Sequence, residues 1–332
     1  MFKVKEKIDI VFTWVDGSDP NWQEKAKKYM PERNFDNERF RDWGTFKYVF
    51  RSIEKYAPWV HHIYIITDNQ CPNWLDLSNS KVSIVDHKEI IDEKYLPTFN
   101  SNVIQVNTHK IPGLSEKFII FNDDMFLNAP VKETDFFRNG LPCDFLIENA
   151  LTASIPWFKS LFGAMLFINQ KFNKREFIKK NFNKYFSVKY GIQGLRSFLS
   201  LPYSQFTGFM STHWVQPFLK STFENVWTDF GKELEKSSYN HVRNANTDIP
   251  DYLMRYYQLA SGNFTPVKIS KRSKFLPIGD EFDVIKNVVT KEQYLGFCLN
   301  DDLVEDDQYE KIKKRTIDLL ENKFPEKSNF EK

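Results

Sequence analysis

The chain has 332 residues, enough for one large α/β domain or two smaller ones. Its 46 basic and 44 acidic residues nearly cancel, which excludes a polyelectrolyte-binding surface on grounds of net charge, and no nucleic-acid partner is expected. No apolar run reaches the roughly 18 residues of a spanning helix, and Met1–Lys7 lacks the apolar core of a signal peptide, so a cytoplasmic location is expected.

Ile8–Val15 predicts a buried first strand, with Asp16, Gly17, Ser18, Asp19 and Pro20 as its turn. Residues 21–39 are polar and charged and predict a helix followed by a loop. Phe46, Val49, Phe50 and Ile53 repeat at three- and four-residue spacing, which predicts an amphipathic helix over Thr45–Tyr56. Ile63–Thr67 and Val82–Val85 read as the second and third strands, closed by Asp68–Asn69 and Asp86–His87. Ser101–Lys110 predicts a helix, weakened by two Asn and one Thr, and Lys117–Phe121 a fourth strand. Strand–helix alternation with polar strand ends predicts an α/β fold, with a Rossmann-like, mostly parallel sheet. Neither Gly-x-Gly-x-x-Gly nor a Walker A sequence occurs, which disfavours a dinucleotide dehydrogenase and a P-loop enzyme.

The character shifts after about residue 150. Phe172–Ser200 is basic and aromatic and predicts two helices; Trp214–Phe223, Val226–Glu235 and Tyr252–Ala260 predict more. Gly262–Gly279 is mixed and is expected to return to the sheet, and Val304–Lys323 is a charged amphipathic helix. No repeat or low-complexity linker divides the chain, so one unit with a helical insertion is expected. The 32 Phe are assigned mainly to the core.

Polar residues gather where apolar elements end. The fourth strand stops at Asn122, Asp123 and Asp124. Ligands of open α/β sheets bind at that strand edge, and adjacent carboxylates there suit a hard divalent cation facing a diphosphate. The same pair also suits a helix N-cap. Asp16–Gly17 fits a plain turn or a phosphate contact. Arg39, Arg41 and Asp42, with Arg51 on the next helix, bring planar guanidinium forks that suit phosphate, or form a solvated loop in which Asp42 caps that helix. His109 has the chemistry of a general base beside such a site and equally that of a structural ring, and Lys117 lies just ahead of the acids. In the second half, His213 precedes an expected helix whose dipole favours a neutral imidazole; Arg243, Asp248 and Asn300–Asp302 are further polar clusters. Cys71, Cys143 and Cys298 are scattered, match no zinc spacing and fit a reducing compartment.

Taken together, Ile8–Pro20 resembles the first conserved block of the Stealth family of sugar-1-phosphate transferases. Arg41–Val60, Leu96–Ser101 and Ile111–Asp124 are similar to the second block, Ser211–Pro217 with Arg243 to the third, and Cys298–Asp301 with Phe324 and Pro325 to the fourth. The family includes bacterial capsule and cell-wall polysaccharide polymerases and the animal enzyme that begins the lysosomal mannose-6-phosphate tag. The resemblance implies a nucleotide-sugar transferase core: a Rossmann-like nucleotide-sugar part over 1–150, a mainly helical acceptor-side insertion over 151–262, and a return to the core with the last helix over 263–332. It implies transfer of hexose 1-phosphate, commonly an N-acetylhexosamine 1-phosphate, from a UDP-sugar to a hydroxyl of an oligosaccharide or polysaccharide. UMP is released, and Mg2+ or Mn2+ assists.

The roles expected on that resemblance are as follows. Asp123, Asp124 and Asp301 hold the metal. His213 is the base, with Arg243, Arg51 and Asp124 as further catalytic groups. Asp16, Gly17, Arg41, Asp42, Gln105, His109, Lys117, Asn122 and Asn300 contact substrate. One stretch departs from the family. Similar proteins commonly carry Ser-x-x-Ile-Glu-x-His-x-His where this chain has Ser101–His109, so Gln105 replaces an acid and Asn107 a histidine. Gln105 cannot take a proton, which moves the expected base to His213. A metal-dependent glycosyltransferase attacking C1 and releasing UDP, and a non-catalytic UDP-sugar-binding protein, are the alternatives. A lipid-linked acceptor would place the chain at the inner face of the membrane, where the basic stretch Lys171–Arg196 suits either contact or a solvated helical face.

Overall fold

In the computed structural model, which describes residues 6–30, 41–152, 158–279, 281–301, 304 and 306–332, the apolar runs of the first half become one sheet. Arg39 and Asp302 lie outside the described residues. The first half holds β1 (Ile8–Thr13), α1 (Pro20–Lys27), α2 (Phe46–Tyr56), β2 (His62–Thr67), β3 (Val82–Asp86), α3 (His87–Ile90), α4 (Ser101–Val106), β4 (Lys117–Phe121), β5 (Met125–Leu127), α5 (Glu133–Phe136), β6 (Phe137–Arg138) and β7 (Leu141–Asp144). Then come α6 (Phe158–Lys171), α7 (Lys174–Lys180), α8 (Phe182–Tyr185), α9 (Leu195–Leu199), β8 (Gln216–Leu219), α10 (Lys220–Ser238) and α11 (Tyr252–Ala260). The chain closes with β9 (Thr265–Pro266), β10 (Ser273–Pro277), α12 (Phe282–Lys291), β11 (Gly296–Asn300) and α13 (Asp306–Lys323).

The main sheet has the order β3-β2-β1-β4-β8, parallel except for the edge strand β8. Both faces are covered, which is why its strands read as continuous apolar runs. On one face Phe12 packs against Phe46 and Phe50 of α2, ring centroids 5.1 and 5.5 Å away. On the other, Val11 and Phe118 join a core with Phe223 of α10. Asp9 interrupts the β1 run yet is fully buried. It accepts from the Ser115 N–H at 2.7 Å and lies 2.7 Å from Nδ1 of His61, so its charge is satisfied at the N-terminal edge of the sheet. Asp19 caps α1 by accepting from the Asn21 N–H, with Pro20 at the first helical position.

The α/β expectation holds, and the departures from it have local causes. Trp214–Phe223 is not a helix: Gln216–Leu219 is strand β8, antiparallel to β4, with Pro217 opposite Ile119. A proline lacking its N–H is tolerated on such an edge strand. α10 then runs from the last four residues of Trp214–Phe223 through all of Val226–Glu235, with a kink at Phe230. Phe172–Ser200 divides into short pieces, interrupted at Gly191 where φ is 57°. Ser101–Lys110 breaks at Asn107, whose side-chain amide donates to the Val103 carbonyl at 2.8 Å. Gly262–Gly279 returns to two smaller sheets, β10-β11-β5 and β6-β7-β9, rather than to the main one.

Arg51 is not at a phosphate site. It is buried in α2, where Nε and Nη2 donate to the two oxygens of Glu331 at 2.8 and 2.9 Å and Nη1 donates to the Phe324 carbonyl at 2.7 Å. Glu321 adds a contact at 3.1 Å. This fork pins the C-terminal segment onto α2. Arg51→Ala leaves the nearly buried Glu331 carboxylate unpaired, and should lower stability by about 3–5 kcal/mol without changing turnover per folded molecule. Denaturant unfolding with kinetics normalised to folded protein checks this; lost turnover at unchanged stability would return Arg51 to the site.

Candidate active site

A cavity of about 750 Å³ opens at the C-terminal edge of the main sheet. Each wall comes from a place where an element ends. Thr13, Trp14 and Val15 leave β1; Asp68 follows β2; His87 follows β3; Asn122, Asp123 and Asp124 follow β4. α4 contributes Ser101, Ile104 and Gln105, and the loop before α2 contributes Arg41, Asp42 and Trp43. From the second half come His213, Val242, Arg243, Asn300 and Asp301. Residues scattered over 13–301 thus meet in one space, as the strand-edge rule requires.

The acids dominate its electrostatics. Asp123 is exposed to the cavity, yet the protein crowding around it removes part of its hydration; that desolvation, then the neighbouring Asp124 charge, pushes its carboxyl up to about 7. Asp42 adds to the same field. Burial also raises Asp124, opposed by His213 and by the Cys298 thiol, whose Sγ donates to Oδ2 at 3.1 Å. Oδ1 of Asp124 is buried with no hydrogen-bond partner among the described residues. Asp301 is held by Trp43, whose Nε1–H donates to Oδ2 at 2.9 Å, with Nη1 of Arg41 3.9 Å from the same oxygen. Repelling carboxylates and an orphaned oxygen are what a divalent cation would satisfy, so the residues present fit one. Ligand atoms of Asp124, His213 and Cys298 also lie within 4.8 Å of one another. Burial and Asp124 push the Cys298 thiol well up, so it remains a donor to the carboxylate rather than a thiolate ligand.

His213 lies with Nε2 4.0 Å from Oδ2 of Asp124, its ring edge-on to Phe275. The helix expected to follow it does not begin there: the chain continues into β8, and α10 begins only at Lys220. Its position depends on its neighbour instead. Trp214 packs directly against Gly296 of β11, where an added Cβ would come within 1.6 Å of the indole.

The structure brings Arg41, Asp42, Gln105, Asn122, Asp123, Asp124, His213, Arg243, Asn300 and Asp301 to the cavity, and it separates the others. Arg51 is in the α2 clamp. Lys117 begins β4 and pairs with Glu6, at the opposite end of a five-residue strand, roughly 16 Å from Asn122. His109 is buried beside Phe223 and Trp227, and burial pushes its imidazole down to about 4. Asp16 and Gly17 form the turn after β1 and do not line the cavity; Asp16 accepts from the Ser18 N–H and hydroxyl. Asp248 is also structural, accepting from Asn100, Asn102 and Asn240. Asp42 caps the turn at Gly44, not α2.

Several residues were missed. Trp43 fixes Asp301, and Asp68 and His87, read only as strand closers, line the cavity. Asp251 has its carboxyl pushed up by burial against the pull of Arg243 and His213. Nothing within Pro250–Tyr252 itself could have revealed that, since Arg243 and His213 both lie outside it.

Comparison with known proteins matches residues 6–33 to Stealth protein CR1, conserved region 1, and residues 39–143 to Stealth protein CR2, conserved region 2. The exopolysaccharide phosphotransferase cps2G of Lactiplantibacillus plantarum is 41% identical over 98% of this chain and 96% of its own. A capsular polysaccharide phosphotransferase WcwK of Streptococcus pneumoniae is 40% identical, covering 99% of each chain. The receptor polysaccharide phosphotransferase WefC of Streptococcus oralis is 38% identical over 98% of this chain and 99% of its own. Among solved structures, the galactosyltransferase LgtC aligns over 95% of each chain at 9% identity with a TM-score of 0.43, too distant to carry an argument.

The acid pair has a measurable signature. Between 3.8 and about 7 the folded protein keeps a proton on Asp123 that the unfolded chain has released, so this contribution is full at the acid end and is lost as pH rises to about 7. Thermal unfolding across that window should show the loss. Mg2+ added above it should restore stability, and Asp123→Asn should abolish both effects; a cation response that survives in Asp123→Asn and Asp124→Asn would move the metal elsewhere. Gly296→Ala should displace Trp214, cost about 1–3 kcal/mol and lower turnover, by unfolding and kinetic measurements.

Proposed function

The chain belongs to the Stealth family and is a phosphotransferase, and from that premise we propose that it transfers a hexose 1-phosphate from a UDP-sugar to a sugar hydroxyl in capsular or exopolysaccharide synthesis. The observation that carries the reading is the convergence of Asp123, Asp124, Asp301, His213 and Arg243 on one strand-edge cavity. Its size suits a nucleotide-sugar, since small-molecule sites span roughly 300–1,000 Å³. N-acetylhexosamine is the donor sugar we favour.

In this reading the diphosphate lies over the end of β4. A divalent cation, Mg2+ or Mn2+, held by Asp123 and Asp124 with Asp301, would neutralise diphosphate charge and polarise the phosphoryl oxygens. Arg41 and Trp43 orient Asp301. Arg243, whose Nη2 donates to the Ser101 hydroxyl, offsets charge on the phosphates, because positioning and electrostatics dominate phosphoryl transfer. Gln105 and Asn300 donate hydrogen bonds to the sugar. His213 takes the acceptor hydroxyl proton on its imidazole. At 4.0 Å the Asp124 carboxylate is not hydrogen-bonded to the ring, yet it favours the imidazolium that forms. The hydroxyl oxygen bonds to the β-phosphorus, the bond from that phosphorus to the bridging oxygen breaks, and UMP leaves. The bond from C1 of the sugar to its oxygen is untouched, so anomeric configuration is kept in the phosphodiester product.

Incubation with a panel of UDP-sugars, acceptor and Mg2+ should yield UMP. UDP as the by-product would mean attack at C1 and overturn the reaction proposed. His213→Ala should lower kcat about 100-fold or more while UDP-sugar affinity is retained; near-normal turnover would remove His213 as base.

A further inference from the structure

We propose that the surface built by residues 182–203 docks the protein peripherally on an anionic lipid bilayer. This segment exposes a run of large apolar side chains that a soluble surface does not need. Val188, Ile192 and Leu199 are 95, 79 and 78% exposed, and Leu195, Phe198 and Tyr203 are more than half exposed. Leu195 and Leu199 lie four residues apart on one side of α9, and Ile192 sits in the short turn just before it. Phe182 of α8 is joined to this patch through Phe186, whose ring lies 4.9 Å from Phe182 and 4.5 Å from Phe198.

Charge decides what covers the patch. Residues 171–203 carry eight Lys and Arg against one Glu, although the chain as a whole is only +2, so the remaining molecule is net acidic. Lys174 is buried against Glu148, but Arg175, Lys179, Lys180, Lys189 and Arg196 are exposed in the same stretch of chain as the apolar residues. Arg175, Lys179 and Lys180 have no ion-pair partner among the described residues. Exposed apolar side chains in a segment that also exposes several cations complement an interface with anionic headgroups above acyl chains. A second copy of this chain would set the same cations against each other. No helix among the described residues is long and apolar enough to cross a membrane, so the contact is peripheral.

The patch is also rigidly tied to the catalytic half. The Tyr190 hydroxyl accepts from the Leu146 N–H, the Ser197 hydroxyl accepts from the Glu148 N–H, and the Met210 N–H donates to the Ile147 carbonyl three residues before His213. Docking would therefore hold the cavity at a fixed attitude to the bilayer, suited to an acceptor carried on a lipid. The docking itself does not depend on which sugar phosphate is transferred.

Co-sedimentation of the full chain with vesicles of phosphatidylglycerol or of phosphatidylcholine tests the proposal. Binding is expected to be at least tenfold tighter to the anionic vesicles and weakened by salt, since each basic side chain near such a surface contributes about fivefold. The variants V188S/I192S/L199S and K179E/K180E should each lose at least tenfold in vesicle affinity, with unchanged thermal unfolding and gel-filtration volume. Failure of the parent protein to bind anionic vesicles, or either variant binding as the parent does, would overturn it. So would a dimeric parent that V188S/I192S/L199S converts to a monomer, because a second copy would then cover the face.

Discussion

The site hangs on the reversal between β4 and β5. The Met125 N–H donates to the Asn122 carbonyl at 3.2 Å, which turns the chain out of the main sheet. Asp124 is then gripped from the other side, where its carbonyl accepts from the Leu299 N–H at 2.9 Å and Met125 pairs with Cys298 of β11. Two sheets are joined through these three residues, so their backbone cannot yield. The carboxylates they carry, Asp123 exposed to the cavity and Asp124 half-buried, are held close together on this turn, so each raises the cost of charging the other. A bound cation or a bound proton is the remaining way to relieve that strain, and the pH response of Asp123 and its capacity for metal have this common origin.

Elsewhere, buried ion pairs fix the attitude of the second half toward this turn. Arg255 of α11 forks onto Asp144 at 2.9 and 3.0 Å and also donates to the Met210 carbonyl at 2.9 Å. That places the segment leading to His213 against β7. Lys174 and Tyr185 converge on the buried Glu148, which also accepts from Thr207, and so secure the short helices of the insertion. Removing one member of such a pair leaves an uncompensated buried charge, at a cost of about 3–5 kcal/mol. The pairs act as clamps between distant segments, and the proposed chemistry relies on them because His213 and Arg243 belong to loops rather than to the sheet.

The same division of labour accounts for which residues could be read in advance. β1, β2 and β4 were legible because burial on both faces writes itself into consecutive apolar residues, and Asn122–Asp124 because the run stops there. Of the expected site residues, those at the end of β4, before α2, on α4 and in the second-half loops reach the cavity. Asp16, Gly17, Arg51, Lys117 and His109 do not. Arg51 has the composition of a phosphate clamp, but its carboxylate partner lies 280 positions away, at Glu331. His109 has the composition of a base, but Trp227 and Phe223 bury it.

By itself, then, the amino-acid sequence determined the parallel α/β core, the acidic strand end and the family, because each is written in short-range pattern: period, polarity and motif order. Tertiary structure alone decided that Gln216–Leu219 is an edge strand, that Arg51 is a clamp, that Trp43 and Asp251 stand beside the acids and His213, and that a basic, apolar face is left uncovered. Those facts turn on contacts between segments apart in the sequence, 280 positions for Arg51 and Glu331 and 258 for Trp43 and Asp301, for which no local pattern exists to be read.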